Sequence, residues 1–264
     1  MNIIVCIKQV PETSNVRLDE RTGTMIREGV ESIINPLDLY AIEAALQLRE
    51  RREGRVTVIS MGPKSAEKAL REALAMGCDD AALISDRAFA GSDTYATSYV
   101  LSRAIAKLAP YDLILAGERA TDGDTGQVGP GIASFLGLPL ATYVSRIARA
   151  TAKSITVERL VEEGYERLRA PLPCLVTVVK EINYPRLPTL RGKQRARATP
   201  LQTWGPDDLG TDVRRVGLDG SPTRVVEIER PTVARKGRII ELARIGAKQA
   251  AKEAADFLEE RNLL

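Results

Sequence analysis

The sequence has no histidine among its 264 residues. That excludes a Ser-His-Asp triad, an imidazole base and a His-ligated zinc site. Any acid–base work would fall to Asp, Glu, Lys, Tyr or Cys, which lowers the expectation of a hydrolase. Neither catalytic residues nor metal ligands are assigned. Cysteine is scarce as well: Cys6, Cys78 and Cys174 lie far apart and form no CxxC. An odd, scattered set fits reduced, buried thiols that pack as small hydrophobes. Aromatics make up only 4% of the chain, and 38 basic against 35 acidic residues leave a net charge of +3 with the signs mixed. That is neither the charge field nor the stacking platform of a nucleic-acid binder. No apolar run approaches the ~20 residues needed to cross a bilayer, so no membrane insertion is expected. The N-terminus, MNIIVC, enters a strand pattern at once, with no basic leader and no small-residue cleavage site. This places the expectation in the cytoplasm.

What is present is an alternation of strands and helices. Residues 2–7 (NIIVCI) predict a first strand. Asn35-Pro36 predicts a helix start, with Asn as N-cap, Pro at the first helical position, and Leu39, Ile42, Ala45 and Leu46 at helical spacing. Residues 55–60 predict a second strand, Lys64 to Met76 a helix closed by Gly77, and Ala81 to Ile84 a third strand. Ser92-Asp93-Thr94 predicts the cap of a helix running to about Leu108, and Asp112 to Ala116 a fourth strand. Such alternation implies parallel βαβ units, hence an α/β fold with a mostly parallel sheet and helices on both faces.

From about residue 139 strands follow one another without helices: Leu140–Ile147, Ser154–Leu160, Glu166–Ala170 and Cys174–Lys180. The stretch from Tyr184 to Gly220 is rich in Pro, Gly and Arg and has too little apolar periodicity to predict a packed unit. A charged amphipathic helix is predicted over roughly Ile239 to Arg261. The expected organisation is a compact domain over residues 1–183, followed by an arm and helix over 184–264 that lie on a partner.

The most informative stretch is GERATDGDTGQVGPGIASFLG, residues 117–137, between the fourth strand and a further helix. Asp122-x-Asp124 resembles the start of a calcium loop, but Gly126 and Gln127 stand where the next ligand and glycine belong, and no bidentate Glu follows. Two readings stay open. One is a turn in which Asp124 or Thr125 caps the helix and Gly123 and Gly126 adopt positive φ. The other is a phosphate cradle in which glycines expose backbone N–H groups and the helix N-terminus faces an anion. In the second reading Thr125 and Gln127 add donors. Ser92, Asp93, Thr94 and Thr97 form a second wall, and Met61-Gly62-Pro63 a third. The loop is neither a Walker loop nor GxGxxG.

Taken in order, VCIKQVPET, INPLDLYAIEAALQL, VISMGP, ALAMGCDDAALISDRAFAGSDTYATS, DGDTGQVGPGIASFLGLP, PCLVTV and NYPRLPTLRGKQRA resemble the beta subunit of electron-transfer flavoprotein over nearly the whole chain. The resemblance implies a fold like that of the adenine nucleotide α-hydrolases and a heterodimer with an alpha subunit that carries FAD. It also implies a buried adenine nucleotide contacted by Cys6, Asn35, Pro36, Leu37, Asp38, Met61 and the 117–128 loop, including Gly117, Arg119, Ala120, Asp122, Gly123, Asp124, Thr125, Gly126, Gln127 and Val128.

The SDRAFAGSDTYATS run and the small residues at 123 and 126 are similar to the bifurcating, nitrogen-fixation-linked branch. There the nucleotide is FAD reduced by NADH, rather than structural AMP. NADH oxidation is then expected only in the heterodimer, with electrons passing to ferredoxin and to an acyl-CoA dehydrogenase or quinone-linked partner. The family's partner-docking loop matches Leu187 to Arg197, including Pro188, Thr189, Leu190, Arg191, Lys193 and Arg195, with Leu190 as the apolar anchor. By composition alone the same segment would be a solvated basic linker. Two other classes share the fold: a free-standing ATP-binding regulator of universal-stress type, against which the long tail argues, and a nucleotide-dependent synthetase.

Overall fold

The computed structural model describes residues 1–12, 32–226, 239–261 and 263, together with the backbone of the short pairs 17–18 and 25–26. Strand β1 (Asn2–Ile7) leads through β2 (Gln9–Pro11), β3 (Arg17–Leu18), β4 (Met25–Ile26) and β5 (Ser32–Ile34) to helix α1 (Pro36–Arg52). Strand β6 (Arg55–Met61), helix α2 (Glu67–Met76), strand β7 (Asp80–Ile84), helix α3 (Thr94–Lys107) and strand β8 (Leu113–Gly117) follow. Helix α4 (Val128–Leu136) then gives way to β9 (Leu140–Ala150), β10 (Ser154–Val161), β11 (Gly164–Pro171) and β12 (Cys174–Val178).

Nine strands form one sheet, in the order β11-β10-β9-β12-β8-β1-β6-β7 and a last edge strand, β13 (Gln202–Trp204). Strands β12, β8, β1, β6, β7 and β13 run parallel, and β9, β10 and β11 make an antiparallel meander at the other edge. Strand β12 returns to lie between β8 and β9, parallel to both. The outer strand β11 carries Glu166, Arg167 and Arg169, and such charge discourages pairing with another chain.

The central strands are apolar on both sides, as a parallel sheet covered on both faces requires. Along β1, Ile3, Val5 and Ile7 enter the core on the side of α1 and α2, whereas Ile4 and Cys6 enter the core on the side of α3 and α4. In β8, Leu113 and Leu115 divide from Ile114 and Ala116 in the same way. Burying each such Ile or Leu contributes about 1.5–3 kcal/mol. The two-sided pattern therefore fixes where the chain must run, and with it the carboxyl ends of the strands.

The expected strands and helices up to residue 137 are present, with shifts of a few residues at their ends. The segment predicted as a helix from Lys64 begins as a single 3-10 turn, Lys64–Ala66, before α2. Gly77 closes α2 with φ 135°, its N–H donating to the carbonyls of Ala73 and Leu74. Beyond residue 139, β9 extends to Ala150 rather than Ile147, and β12 ends at Val178 because Lys180–Ile182 turns into a 3-10 helix.

The boundary expected near residue 183 is not where the chain divides. The first compact unit continues to Val226. Arg186 donates to the buried carboxylate of Glu43 at 2.7 Å and also pairs with Glu50, both on α1. Helix α5 (Leu190–Ala198) packs on α2, and β13 adds a strand beside β7. Trp204, Leu209 and Val216 join the core on the α3 side, Leu209 ending the short helix α6 (Pro206–Leu209). The sequence conceals this because arginine side chains and isolated apolar residues, rather than an apolar stripe, anchor the segment. The second unit, residues 227–264, contains α7 (Leu242–Glu259), interrupted at Gly246 (φ 74°, ψ 159°) within the expected 239–261 span. Among the described residues no helix is long and apolar enough to cross a membrane.

Candidate functional site

In the parallel half of the sheet the connections leave β1 and β8 in opposite directions, toward β6 from β1 and toward β9 from β8. Such a reversal opens a crevice at the carboxyl ends of the two strands, where α/β proteins bind ligands. Here the crevice is bounded by Lys8 after β1 and by the 117–128 loop after β8.

The two walls are tied by residues at the start of α1. Asp38, buried, accepts the backbone N–H of Lys8 at 2.7 Å and that of Gly117 at 3.2 Å. Asn35 occupies the expected N-cap position, but its side chain makes no capping bond. Instead its amide donates to the Arg119 carbonyl at 2.8 Å and accepts the Thr121 N–H at 3.2 Å. Pro36 takes the first helical position, where its missing N–H costs nothing. A Cβ on Gly117 would lie 2.9 Å from the Leu37 carbonyl carbon and closer still to Asp38, so only glycine lets the loop begin here.

The loop's carboxylates are taken by cations rather than held open for a metal. Asp122 pairs with Lys8 at 2.6 Å and Asp124 with Arg119 at 3.3 Å. Gly126 has the anticipated positive φ of 64°, whereas Gly123 does not. The reading in which Asp124 or Thr125 caps the helix is corrected: α4 starts at Val128 with Gln127 as its N-cap, and no side-chain cap is made there. The Thr125 hydroxyl accepts the Gln127 N–H at 3.4 Å and the Thr94 hydroxyl at 3.1 Å, and Asp124 is turned to Arg119. Gly123, Asp124, Thr125 and Gln127 are exposed, and Ala120, Gly126 and Val128 half-buried. The helix sits close against its neighbours, since a Cβ on Gly129 would meet the Thr177 methyl at 2.6 Å and one on Gly131 would meet Ser98.

The second wall is divided. The Thr94 hydroxyl lies 3.1 Å from that of Thr125, joining α3 to the loop. Ser92 and Asp93 face the other way. Asp93 caps α3 through the Ala96 N–H and accepts from both the N–H and the hydroxyl of Thr223. Ser92 accepts the Gly217 N–H. Thr97 lies in the first turn of α3, its N–H donating to the Asp93 carbonyl. Cys6 is buried in β1 beside Ala116, and Met61 is half-buried at the end of β6.

Burial dominates the electrostatics. It pushes the Asp38 carboxyl up to about 7, against the lowering effect of its N–H donors and Lys8. Burial, with Asp38 nearby, pushes the Cys6 thiol up to about 12, so it is neutral and unreactive at physiological pH. Burial also raises Glu118, beside Arg119.

Three residues belong here that sequence reasoning did not single out. Lys8 was legible only as part of a strand end. Ser60, fully buried at the end of β6, has a hydroxyl with no hydrogen-bond partner among the described residues. Tyr143 adopts φ 56°, rare for an aromatic residue, with its hydroxyl near Gly126. A separate cavity of 330 Å³ beside the C-terminal half of α1, lined by residues including Leu48, Arg146, Ile147 and Asn183, contains none of these groups.

The basic segment is ordered. Thr189 caps α5 by accepting the Gly192 N–H, and Arg195 donates to the carbonyls of Leu74 and Cys78 at the end of α2. Leu187 and Leu190 are 84% and 82% exposed, and Arg191 and Lys193 are exposed beside them. Pro188 is half-buried.

The Electron transfer flavoprotein domain family matches residues 22–209. The chain is 49% identical, over the full length of both proteins, to the Electron transfer flavoprotein subunit beta of Thermoanaerobacterium thermosaccharolyticum. It is 48% identical to the Caffeyl-CoA reductase-Etf complex subunit CarD of Acetobacterium woodii, over 91% of this chain and 92% of that protein. It is also 48% identical to Protein FixA of Azotobacter vinelandii, over 88% of this chain and 84% of that one.

Proposed function

The chain belongs to the electron-transfer flavoprotein family as a beta subunit, and from that premise we propose that its crevice holds FAD and that it works in flavin-based electron bifurcation. The observation that carries the nucleotide reading is the unfilled polar capacity at the strand ends. The first turn of α4 has no side-chain cap, and among the described residues the buried Ser60 hydroxyl has no partner. Both are met when an anionic, hydroxyl-bearing ligand lies between the ends of β1, β6 and β8. Room for a pyrophosphate is consistent with Gly123, where an added Cβ would have only the Lys8 ammonium nearby, at 3.9 Å.

The residues have separable roles. Asp38 and Asn35 set the distance between the walls. Gly126 and the first turn of α4 present backbone N–H groups, Gly117 ties the start of the loop to Asp38, and Thr94 and Thr125 close the α3 side. Cys6, protonated and buried, offers a neutral apolar surface. When bound, FAD would accept hydride from NADH and release single electrons, one through the alpha-subunit FAD to an acyl-CoA dehydrogenase or quinone-linked partner and one to ferredoxin. The chain needs no histidine for this, because the hydride step is the cofactor's. The exposed Leu187 and Leu190, set among Arg191 and Lys193, suit weak docking to such a partner, charge steering the encounter and the apolar side chains giving specificity.

The test is to purify the chain with its alpha subunit, denature the complex and identify the released nucleotides by chromatography. Two FAD per heterodimer, one bleached rapidly by NADH, is the expected result. One FAD and one AMP would remove NADH chemistry from this subunit and make the loop a clamp for a structural nucleotide.

A further inference from the structure

A glycine loop that receives phosphate would be expected to stand in a positive field, yet this one carries more negative charge than positive. Glu118, Asp122 and Asp124 are matched only by Arg119 and Lys8. Arg119 is committed within the loop, to Asp124 and, at 3.7 Å, to Glu118.

Lys8 is placed differently. Its backbone is fixed from both sides, its N–H donating to Asp38 and its carbonyl accepting the Asn35 N–H at 2.8 Å. Its side chain crosses from the β1 wall to the β8 wall and donates to Asp122. Among the described residues that carboxylate is its one hydrogen-bond partner, so two of the three ammonium protons remain available. The pair is unequal in exposure: the lysine side chain is 45% exposed and the aspartate side chain 8%. The ammonium thus stands at the open face of the loop and the carboxylate behind it. In register, Ser60, whose buried hydroxyl has no hydrogen-bond partner among the described residues, lies beside Ile7, the residue before Lys8.

We propose that Lys8 is the cation that meets the phosphate groups of the bound nucleotide, and that Asp122 positions it while moderating its charge. The balance across this pair, and not the glycine loop alone, then sets how tightly the nucleotide is held. The proposal rests on the nucleotide reading given above. Asp122 is a positioning residue here: it acts through Lys8 and opposes the phosphate.

The experiment uses the heterodimer, its beta site emptied with mild chaotrope and titrated calorimetrically with FAD and, separately, AMP. Lys8→Gln is expected to weaken both by about tenfold, as loss of a charge-assisted contact does. Asp122→Asn is expected to tighten both by roughly threefold, because an unopposed ammonium attracts phosphate more strongly. The double variant should remain weaker than wild type, and Lys8→Arg should retain most of the affinity. A double variant restored to wild-type affinity overturns the proposal, since Lys8 would then only neutralise Asp122. If Lys8→Gln does not fold, Asp122→Asn decides alone, and unchanged or weaker binding overturns the proposal. A wild-type complex that takes up neither nucleotide removes the site itself. Normal uptake that ignores the charge variants removes this proposal and leaves the site.

Discussion

The loop at 117–128 and the segment at 184–198 both read in the sequence as irregular, polar connections, and the fold immobilises both, by opposite means. In the loop, side chains from elsewhere hold the backbone: Asn35 bonds Arg119 and Thr121, and Asp38 bonds Gly117. The loop's backbone faces the crevice, and its own charged side chains are paired off. In the second segment the segment's own side chains reach inward, Arg186 to Glu43 and Glu50 and Arg195 to the end of α2. What remains outward there is side chain, apolar at Leu187 and Leu190 and basic at Arg191 and Lys193. A surface of ordered backbone N–H groups suits a small anion, and a surface of exposed side chains on a fixed short helix suits another protein. The comparison separates two functions that composition alone would merge.

The contrast can be broken most completely at Gly126. Gly126→Glu should abolish nucleotide retention, by steric conflict and by like charge against phosphate. Gly126→Asn, which tolerates positive φ, is the control. Nucleotide content of the purified complex reads the result, and full occupancy in the Glu variant would count against the cradle.

On the other side, Arg186→Met leaves Glu43 buried without its cationic partner, with Gln47 still donating to it. Burial pushes that carboxyl up, but the Arg186 hydrogen bonds outweigh burial and hold it below its usual range. Breaking such a pair should cost about 3 kcal/mol in denaturant unfolding while leaving nucleotide content intact. A loss of nucleotide would show that the two regions are not independent.

A smaller effect is expected from pH. Asp38 is raised to about 7, so its charged form is disfavoured in the folded state. Its contribution to stability is fully present below about pH 4 and is lost as pH rises toward 7. With no histidine in the chain, this loss should be visible between about pH 5 and 7.5 as a falling Tm. Asp38→Asn should flatten the slope, and an unchanged slope would assign it to another group.

The smallest structural effect belongs to Leu190→Ala. At 82% exposure the change should move stability by about 0.5 kcal/mol or less. It should nevertheless slow electron delivery to the partner dehydrogenase with bound flavin unchanged. Lost flavin would sink the docking assignment.

Much of this was legible because local rules and tertiary needs coincide. Two-sided apolar strands such as Ile3–Ile7 admit only a covered parallel sheet, and Asp93 caps α3 where its side-chain chemistry says it should. The glycine-rich strand-to-helix loop was legible as a position, and of its two open readings the one in which Asp124 or Thr125 caps the helix is not what the structure shows, since the N-cap is Gln127. Asp124 turns to Arg119 within the loop, and Thr125 meets the Thr94 hydroxyl across it, a contact that depends on the tertiary fold. The reach of the first unit to Val226 was not legible, since it depends on arginines and single apolar residues that meet their partners only across the fold.

The sequence by itself determined the α/β class, the exclusion of imidazole chemistry and the location of the glycine loop, because periodicity, composition and glycine placement are local quantities. Only the tertiary structure decided that Asn35 grips the loop instead of its own helix and that Ser60 is left without a partner. It alone set Lys8 opposite Asp122, 114 positions apart in the chain. These are properties of which strand ends lie side by side, and adjacency of β1 with β8 follows from the packing of the whole sheet and from no single segment.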